Sequence, residues 1–232
     1  MADFINTIDA LGDEVVMDSI IDRSITEFKD DTIESVGQYA FSNCKVLANV
    51  LLPNVKSIGD RAFEDCTSLG EVLFSEVPKT GVFTFRRCTN LVSADFPKAT
   101  VVGTFAFNGC TKLERVNLPL AEDISTYVFQ SCVALTKIDL PSLKSLSSGA
   151  FNNCSNLTAV VIRGDDVCTL HHTDAFENTP IAKGTGYIYV PRALVDSYKA
   201  ATNWSTYAAQ FRALEDYTVD GTITGELDET KI

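Results

Sequence analysis

Seven cysteines and one pair of adjacent histidines, His171 and His172, are the side chains best suited to chemistry in this 232-residue chain. Thiolates bind zinc, attack electrophiles or pair into disulfides, and imidazoles are frequent metal ligands. Spacing decides among these uses. Structural zinc sites gather thiols in pairs roughly two to four residues apart, whereas no two cysteines here stand closer than Cys154 and Cys168. Adjacent histidines on a strand point to opposite faces, so His171 and His172 read as solvated loop residues. No glycine-rich phosphate loop, nucleophile elbow or zinc-protease motif is present. Neither an enzyme, a metal site nor a cofactor is expected.

Six of the cysteines instead recur every 22 residues, at Cys44, Cys66, Cys88, Cys110, Cys132 and Cys154. Phe41, Phe63, Phe85, Phe107, Phe129 and Phe151 keep the same interval, and so do Leu47, Leu69, Leu91, Leu113, Leu135 and Leu157. Pro53, Pro97, Pro119 and Pro141 mark a further column, which Ser75 and Arg163 break. Thiols in such a column point the same way down a stack, which does not suit disulfide geometry. They read as a ladder of small buried apolar groups, with no disulfide. Cys168, outside the ladder, is the one candidate for a reactive or pairing thiol.

Within one unit, Leu113, Val116 and Leu118 lead to Pro119 with the alternation of a half-buried strand, which proline then stops. Val101-Val102 is a second short apolar stretch, and Phe-x-x-Cys-x-x-Leu has the spacing of a helical turn. Such a unit cannot enclose a core. Its apolar side chains, at roughly 1.5–3 kcal/mol each, fall short of an ordering cost of about 1.5 kcal/mol per residue. Stacking closes the gap, because each coil buries its flat faces against its neighbours. The expected fold is α/β: a solenoid over residues 25–191 with one parallel β-sheet of about seven or eight strands, and short turns or helices between them.

Both ends depart from the repeat. Residues 1–24 alternate apolar and acidic side chains as an amphipathic N-terminal cap would, and Ile25 and Phe28 begin a degenerate first coil. At the other end Thr179 stands in the cysteine column and Tyr187–Val190 supplies a last strand. Leu194, Tyr198, Ala201, Trp204, Ala208 and Phe211 keep helical spacing, predicting a helical C-terminal cap over 192–215 before an acidic tail at 216–232. Charge is concentrated at these ends: residues 1–40 hold ten acidic side chains against two basic ones, and residues 215–232 hold six against one. The near-neutral middle offers no basic face, which argues against nucleic-acid binding. No run is long and apolar enough for membrane insertion, and no signal peptide is visible. A cytoplasmic or virion-associated location is therefore expected, or the cell surface if the native chain is longer.

A repeat protein recognises partners through letters that vary around a constant frame. The strand positions alternating with buried ones are Asn49, Glu71, Ser93, Arg115, Lys137 and Ala159, and then Leu51, Leu73, Asp95, Asn117, Asp139 and Val161. Leu51, Leu73, Asp95, Arg115, Asn117, Lys137 and Asp139 form the candidate binding face. Two residues before each phenylalanine runs a second column, Tyr39, Arg61, Phe83, Phe105, Tyr127 and Gly149. Its aromatics, Tyr39, Phe83, Phe105 and Tyr127, are either an exposed ridge or packing over the turns.

The run Ile58-Gly59-x-x-Ala62-Phe63-x-x-Cys66-x-x-Leu69-x-x-Val72 resembles the leucine-rich repeats of the BspA-like class, and the match extends over roughly residues 25–191. The ending VPRALVDSYKAATNWSTYAAQF looks like the cap that often closes such arrays. The resemblance implies a leucine-rich-repeat solenoid. Members of that class include surface adhesins of oral and gut bacteria, proteins of mucosal protozoa, and proteins of gut bacteria and their phages. The implied function is a non-catalytic interaction or adhesion module that binds a protein or glycan partner on its strand face. The alternative is a structural or display component of a phage particle.

Overall fold

The computed structural model describes residues 23–219 and 222–223. The amphipathic cap expected over residues 1–24 lies almost wholly outside them, as does most of the chain beyond Val219.

Each 22-residue unit makes one coil, and the coils stack through backbone hydrogen bonds on three sides. The first side is the expected parallel ladder: Glu27–Lys29, Asn49–Leu51, Glu71–Leu73, Ser93–Asp95, Arg115–Asn117, Lys137–Leu140, Ala159–Ile162, Tyr187–Val190 and Phe211–Ala213. Register follows the repeat, with Ser93 opposite both Glu71 and Arg115. The nine strands fall into hydrogen-bonded blocks of two, three and four. The second side is a ladder of two-residue strands. It includes Val101–Val102, Asp123–Ile124, Ser145–Leu146 and Thr169–Leu170, so the second apolar stretch of the unit has its own pairing.

The third side carries the Phe-x-x-Cys-x-x-Leu run, and it is not a helical turn. Alternate amides bond within the coil and between coils: the Cys110 N–H donates back to the Phe107 carbonyl at 3.1 Å, whereas Phe107 and Gly109 donate to Val128 and Gln130 of the next coil. Turning these groups toward the solenoid axis requires two left-handed residues per coil, four positions apart. Phe105 (φ 56°) and Gly109 (φ 74°) serve one coil, Tyr127 (φ 54°) and Ser131 (φ 62°) the next. That conformation costs a non-glycine residue about 1–2 kcal/mol, so the surrounding packing must hold it.

Inside the coils, the phenylalanine column is one continuous stack. Phe41, Phe63, Phe85, Phe107, Phe129, Phe151 and Phe176 follow one another with centroid spacings of 5.0 to 5.6 Å and nearly parallel planes. The cysteine column lies beside it, and all seven thiols are free and buried. The thiols are donors as well as filler. Cys66, Cys88, Cys110, Cys132 and Cys154 each give a hydrogen bond to the carbonyl of the phenylalanine of the preceding coil, at 2.9–3.2 Å. Thr179, which replaces cysteine in the last coil, donates instead to Phe176 of its own coil at 2.6 Å.

The open C-terminal end is closed by the helix Val195–Ala200 and a 3-10 segment at Trp204–Gln210. Their polar tips take up the exposed edge of the last short strand and its flanks. Trp204 Nε1 donates to the Cys168 carbonyl at 2.7 Å, Asn203 Nδ2 to Leu170 at 2.7 Å, and the Tyr207 hydroxyl to Thr173. The Tyr198 hydroxyl accepts the Cys168 N–H at 3.1 Å. Cys168, singled out as a reactive candidate, is thus enclosed under the cap, and burial pushes its thiol up to about 12. Phe211 departs from its helical spacing. It begins the strand Phe211–Ala213, which adds to Tyr187–Val190 in parallel, because the long ladder also needs an end. Arg212 then blunts the new edge, its guanidinium donating to the carbonyls of Ala209 and Phe211.

Candidate functional site

The long ladder presents alternate side chains to solvent, but the two halves of its outer face differ. Toward the N-terminal end Leu51 is 46% exposed and Leu73 53%. At the equivalent position of the later strand Ala159–Ile162, Val161 is buried, and so is Ala159 in the alternate outward column. The column that begins with Leu51 and Leu73 ends in Val161, apolar at both ends for opposite reasons: Val161 is covered by the protein itself, and the two leucines are open. Between them Asn117 Nδ2 donates to Asp95 at 2.8 Å, and Arg115 reaches over Ser93 toward Glu71 at 3.9 Å. Lys137 is exposed. The open face thus gathers Leu51, Leu73, Asp95, Arg115, Asn117 and Lys137.

Asp139 stands apart from that group. Arg163 clamps it with three hydrogen bonds of 2.8–3.1 Å, and only 14% of the Asp139 side chain is exposed. Burial raises its carboxyl above the ordinary range, opposed by the Arg163 charge. Arg163 stands where other coils have proline, and from there it can reach back one coil. On the next strand but one from Asp139, Tyr189 stands opposite Val161 and Tyr187 opposite Ala159, and Arg212 lies over the Tyr187 ring at 4.2 Å.

The column Tyr39, Phe83, Phe105 and Tyr127 lies along the third side, at the left-handed positions of successive coils. Phe83 stacks on Phe105 at 4.9 Å and Phe105 on Tyr127 at 5.2 Å. Arg61 fills the gap toward Tyr39, its guanidinium 4.2 Å from the Phe83 centroid and 5.9 Å from that of Tyr39. The ring faces cover one another, and a sugar platform needs a free face. Gly149 ends the column because a Cβ there would lie 2.1 Å from Cε1 of Tyr127.

A polar cluster beside this column escaped the sequence reading. Glu64, almost fully buried, accepts Arg61 at 3.0 Å and Arg86 at 3.0 Å, while Arg87 pairs with Asp65 at 2.7 Å. Its signal was the doubled arginine of FTFRRC, whose first member, Arg86, takes the position held by Glu64, Asn108 and Gln130 in other coils. These side chains continue as an amide ladder, with Asn108 donating to Gln130 at 2.7 Å and Asn152 to Glu177 at 2.6 Å. The cluster ties coils together and consumes its own charges.

The two histidines take separate partners. His171 Nε2 lies 3.0 Å from the Ser145 hydroxyl, and His172 Nδ1 lies 2.9 Å from Asp174. Among the described residues, no three His, Cys, Asp or Glu side chains converge as a metal site would require. Nor does any described helix have the length and apolarity to cross a membrane.

The sequence matches the BspA type leucine rich repeat region, in six copies, over residues 22–120 and 81–187. No curated protein matches. Among solved structures, a leucine-rich repeat protein from Bacteroides ovatus is 28% identical, with a TM-score of 0.61 over 74% of this chain and 44% of the other. One from Eubacterium ventriosum is 29% identical, with a TM-score of 0.59 over 68% of this chain and 44% of the other. This chain therefore spans less than half the length of either. A leucine rich cell surface protein from Faecalibacterium prausnitzii shares the fold at 18% identity, with a TM-score of 0.50 over 78% of this chain and 61% of that one. Interval, hydrogen-bonding pattern and family match agree: the chain belongs to the BspA-type leucine-rich repeat family.

Proposed function

We propose that this protein is a non-catalytic interaction module whose contact surface is the open part of the strand face, and that its partner is a protein. One observation carries the reading: Leu51 and Leu73 stay about half exposed on the sheet, while Val161, at the equivalent position near the other end, is covered. Apolar side chains held beside Arg115, Asn117 and Lys137 make the mixture of apolar anchors and polar rim that protein interfaces use. A glycan site would be expected to offer a free aromatic face, and this part of the sheet has none. The family match and the cell-surface description of the Faecalibacterium neighbour support a role in adhesion or recognition.

The test is partner capture with the intact chain, alongside a glycan array, followed by two variants. Leu73→Asp, and Arg115→Glu combined with Lys137→Glu, are expected to weaken binding at least about tenfold, equivalent to about 1.4 kcal/mol. Because all three side chains are solvent-exposed, the melting temperature should stay within about 2 °C of wild type. Binding that survives both variants would place the contact elsewhere.

A further inference from the structure

Over four successive coils one outward column of the strand face reads Lys29, Leu51, Leu73 and Asp95. Lys29 lies opposite Leu51, and Leu73 opposite Asp95, in the parallel registers. The Gly70 N–H donates to the Ala48 carbonyl at 3.2 Å and so carries the same stacking across from the second coil to the third. Neighbouring rows are therefore about 4.8 Å apart. The column beside it, two residues earlier on each strand, reads Glu27, Asn49, Glu71 and Ser93. Among the described residues neither Lys29 nor Asp95 makes an ion pair. Lys29 is exposed, and the Asp95 carboxylate accepts the neutral Asn117 amide at 2.8 Å.

This order is its own complement. A two-fold axis along the strand direction, between the Leu51 and Leu73 rows, turns the face onto a second copy with each column against itself and the coils in reverse order. Lys29 then meets Asp95 of the second copy, and Leu51 meets Leu73, each pairing occurring twice by symmetry. In the other column Asn49 meets Glu71 and Glu27 meets Ser93, an amide and a hydroxyl against carboxylates. No row sets like charges together. Shifting the copies by one coil would place Leu51 against Asp95 or Leu73 against Lys29, and running the two solenoids the same way would place Leu73 against Glu71. Each of these buries a charge against a leucine, so the arrangement selects one register.

We propose that Leu51 and Leu73 dock on the same surface of a second copy of this chain, with the two solenoid axes antiparallel and Lys29–Asp95 ion pairs at both ends of the contact. This rests on the reading of the strand face as a protein contact, and it names the partner for the apolar half of that face. Four rows of two side chains cover a strip of about 19 by 12 Å. The dimer therefore buries roughly 500–800 Å² in total, below the 1,200 Å² or so of stable assemblies. Its association is accordingly transient, with a dissociation constant on the order of 0.1 mM. Arg115 and Lys137 lie outside the paired rows, one and two coils beyond Asp95.

Sedimentation equilibrium of the full chain from about 10 µM to about 1 mM tests it. Wild type should approach a dimer over this range, and Leu73→Asp should weaken the association at least about tenfold. Lys29→Asp or Asp95→Lys alone sets like charges together in both symmetric pairs, and each should weaken the dimer about fivefold at low salt. Combined in one chain they restore opposite charges, and the dimer should return to within about twofold of wild type, a recovery that a damaged fold would not give. Arg115→Glu with Lys137→Glu should leave self-association within about twofold of wild type. A wild-type chain that stays monomeric throughout, a dimer indifferent to Leu73→Asp, or a combined charge variant no tighter than the single ones overturns the proposal. The reading of the strand face fails separately: a monomeric chain that captures another protein through Leu73 overturns the dimer alone, whereas capture untouched by Leu73→Asp and by the Arg115–Lys137 variant moves the contact elsewhere.

Discussion

The Cys110 thiol donates a hydrogen bond to the backbone carbonyl of Phe85 in the preceding coil, 3.1 Å away. That oxygen also accepts the Cys88 N–H at 3.1 Å, so the thiol adds a second donor at the most crowded point of the turn. The ladder is therefore more than a column of small apolar groups. A serine can supply a donor there and an alanine cannot. Cys110→Ala is expected to cost about 2 kcal/mol through a small cavity and the lost bond, and Cys110→Ser about half as much. Urea denaturation gives the order directly. If serine proves the more destabilising, the apolar character of the site outweighs its hydrogen bond.

Burial also makes the thiols reluctant to ionise. Cys44 is raised to about 11, and Cys154 and Cys168 to about 12, each chiefly by desolvation. A folded pKa above the unfolded value of 9.0 means that the native state holds its protons to higher pH. The stability so contributed is complete below pH 9 and is lost as pH rises from 9 toward 12. Each such thiol should steepen the decline by up to about 1.4 kcal/mol per pH unit within that window. Native protein at pH 8 should react negligibly with a thiol reagent and release seven thiols on unfolding. Fast native labelling, or stability that stays flat between pH 8 and 10.5, would contradict the buried ladder.

Gly149 is required twice over, by its φ of 61° and by the ring of Tyr127 that lies where its Cβ would be. Gly149→Ala should destabilise by about 2–3 kcal/mol. Tyr127→Ala removes the clashing ring but not the backbone cost. The double variant should therefore lose at least about 1 kcal/mol less than the sum of the two. Strict additivity in thermal or urea unfolding would show that the aromatic column does not set the demand for glycine.

Several features follow from the letters alone. The 22-residue interval of Phe107, Cys110 and Leu113 determines a solenoid, because a short unit with one apolar stripe can bury it only against copies of itself. The same interval places Arg115 beside Lys137 and Leu51 beside Leu73 on one sheet face, since register in a stacked array is the repeat itself. Tertiary structure was needed wherever a residue depends on chain far away in sequence. Phe211 has helical spacing but becomes a strand, because the ladder ahead of it has an unpaired edge. Phe105 and Tyr127 take up a left-handed backbone that their types disfavour, because hydrogen bonds between coils require it. Val161 and Leu51 are equivalent in the repeat and equally apolar, yet only Leu51 is free to meet a partner. Beside Val161 stand its cross-strand partner Tyr189, with Tyr217 against that ring, and the Arg163–Asp139 pair, an arrangement no periodicity in the sequence could locate.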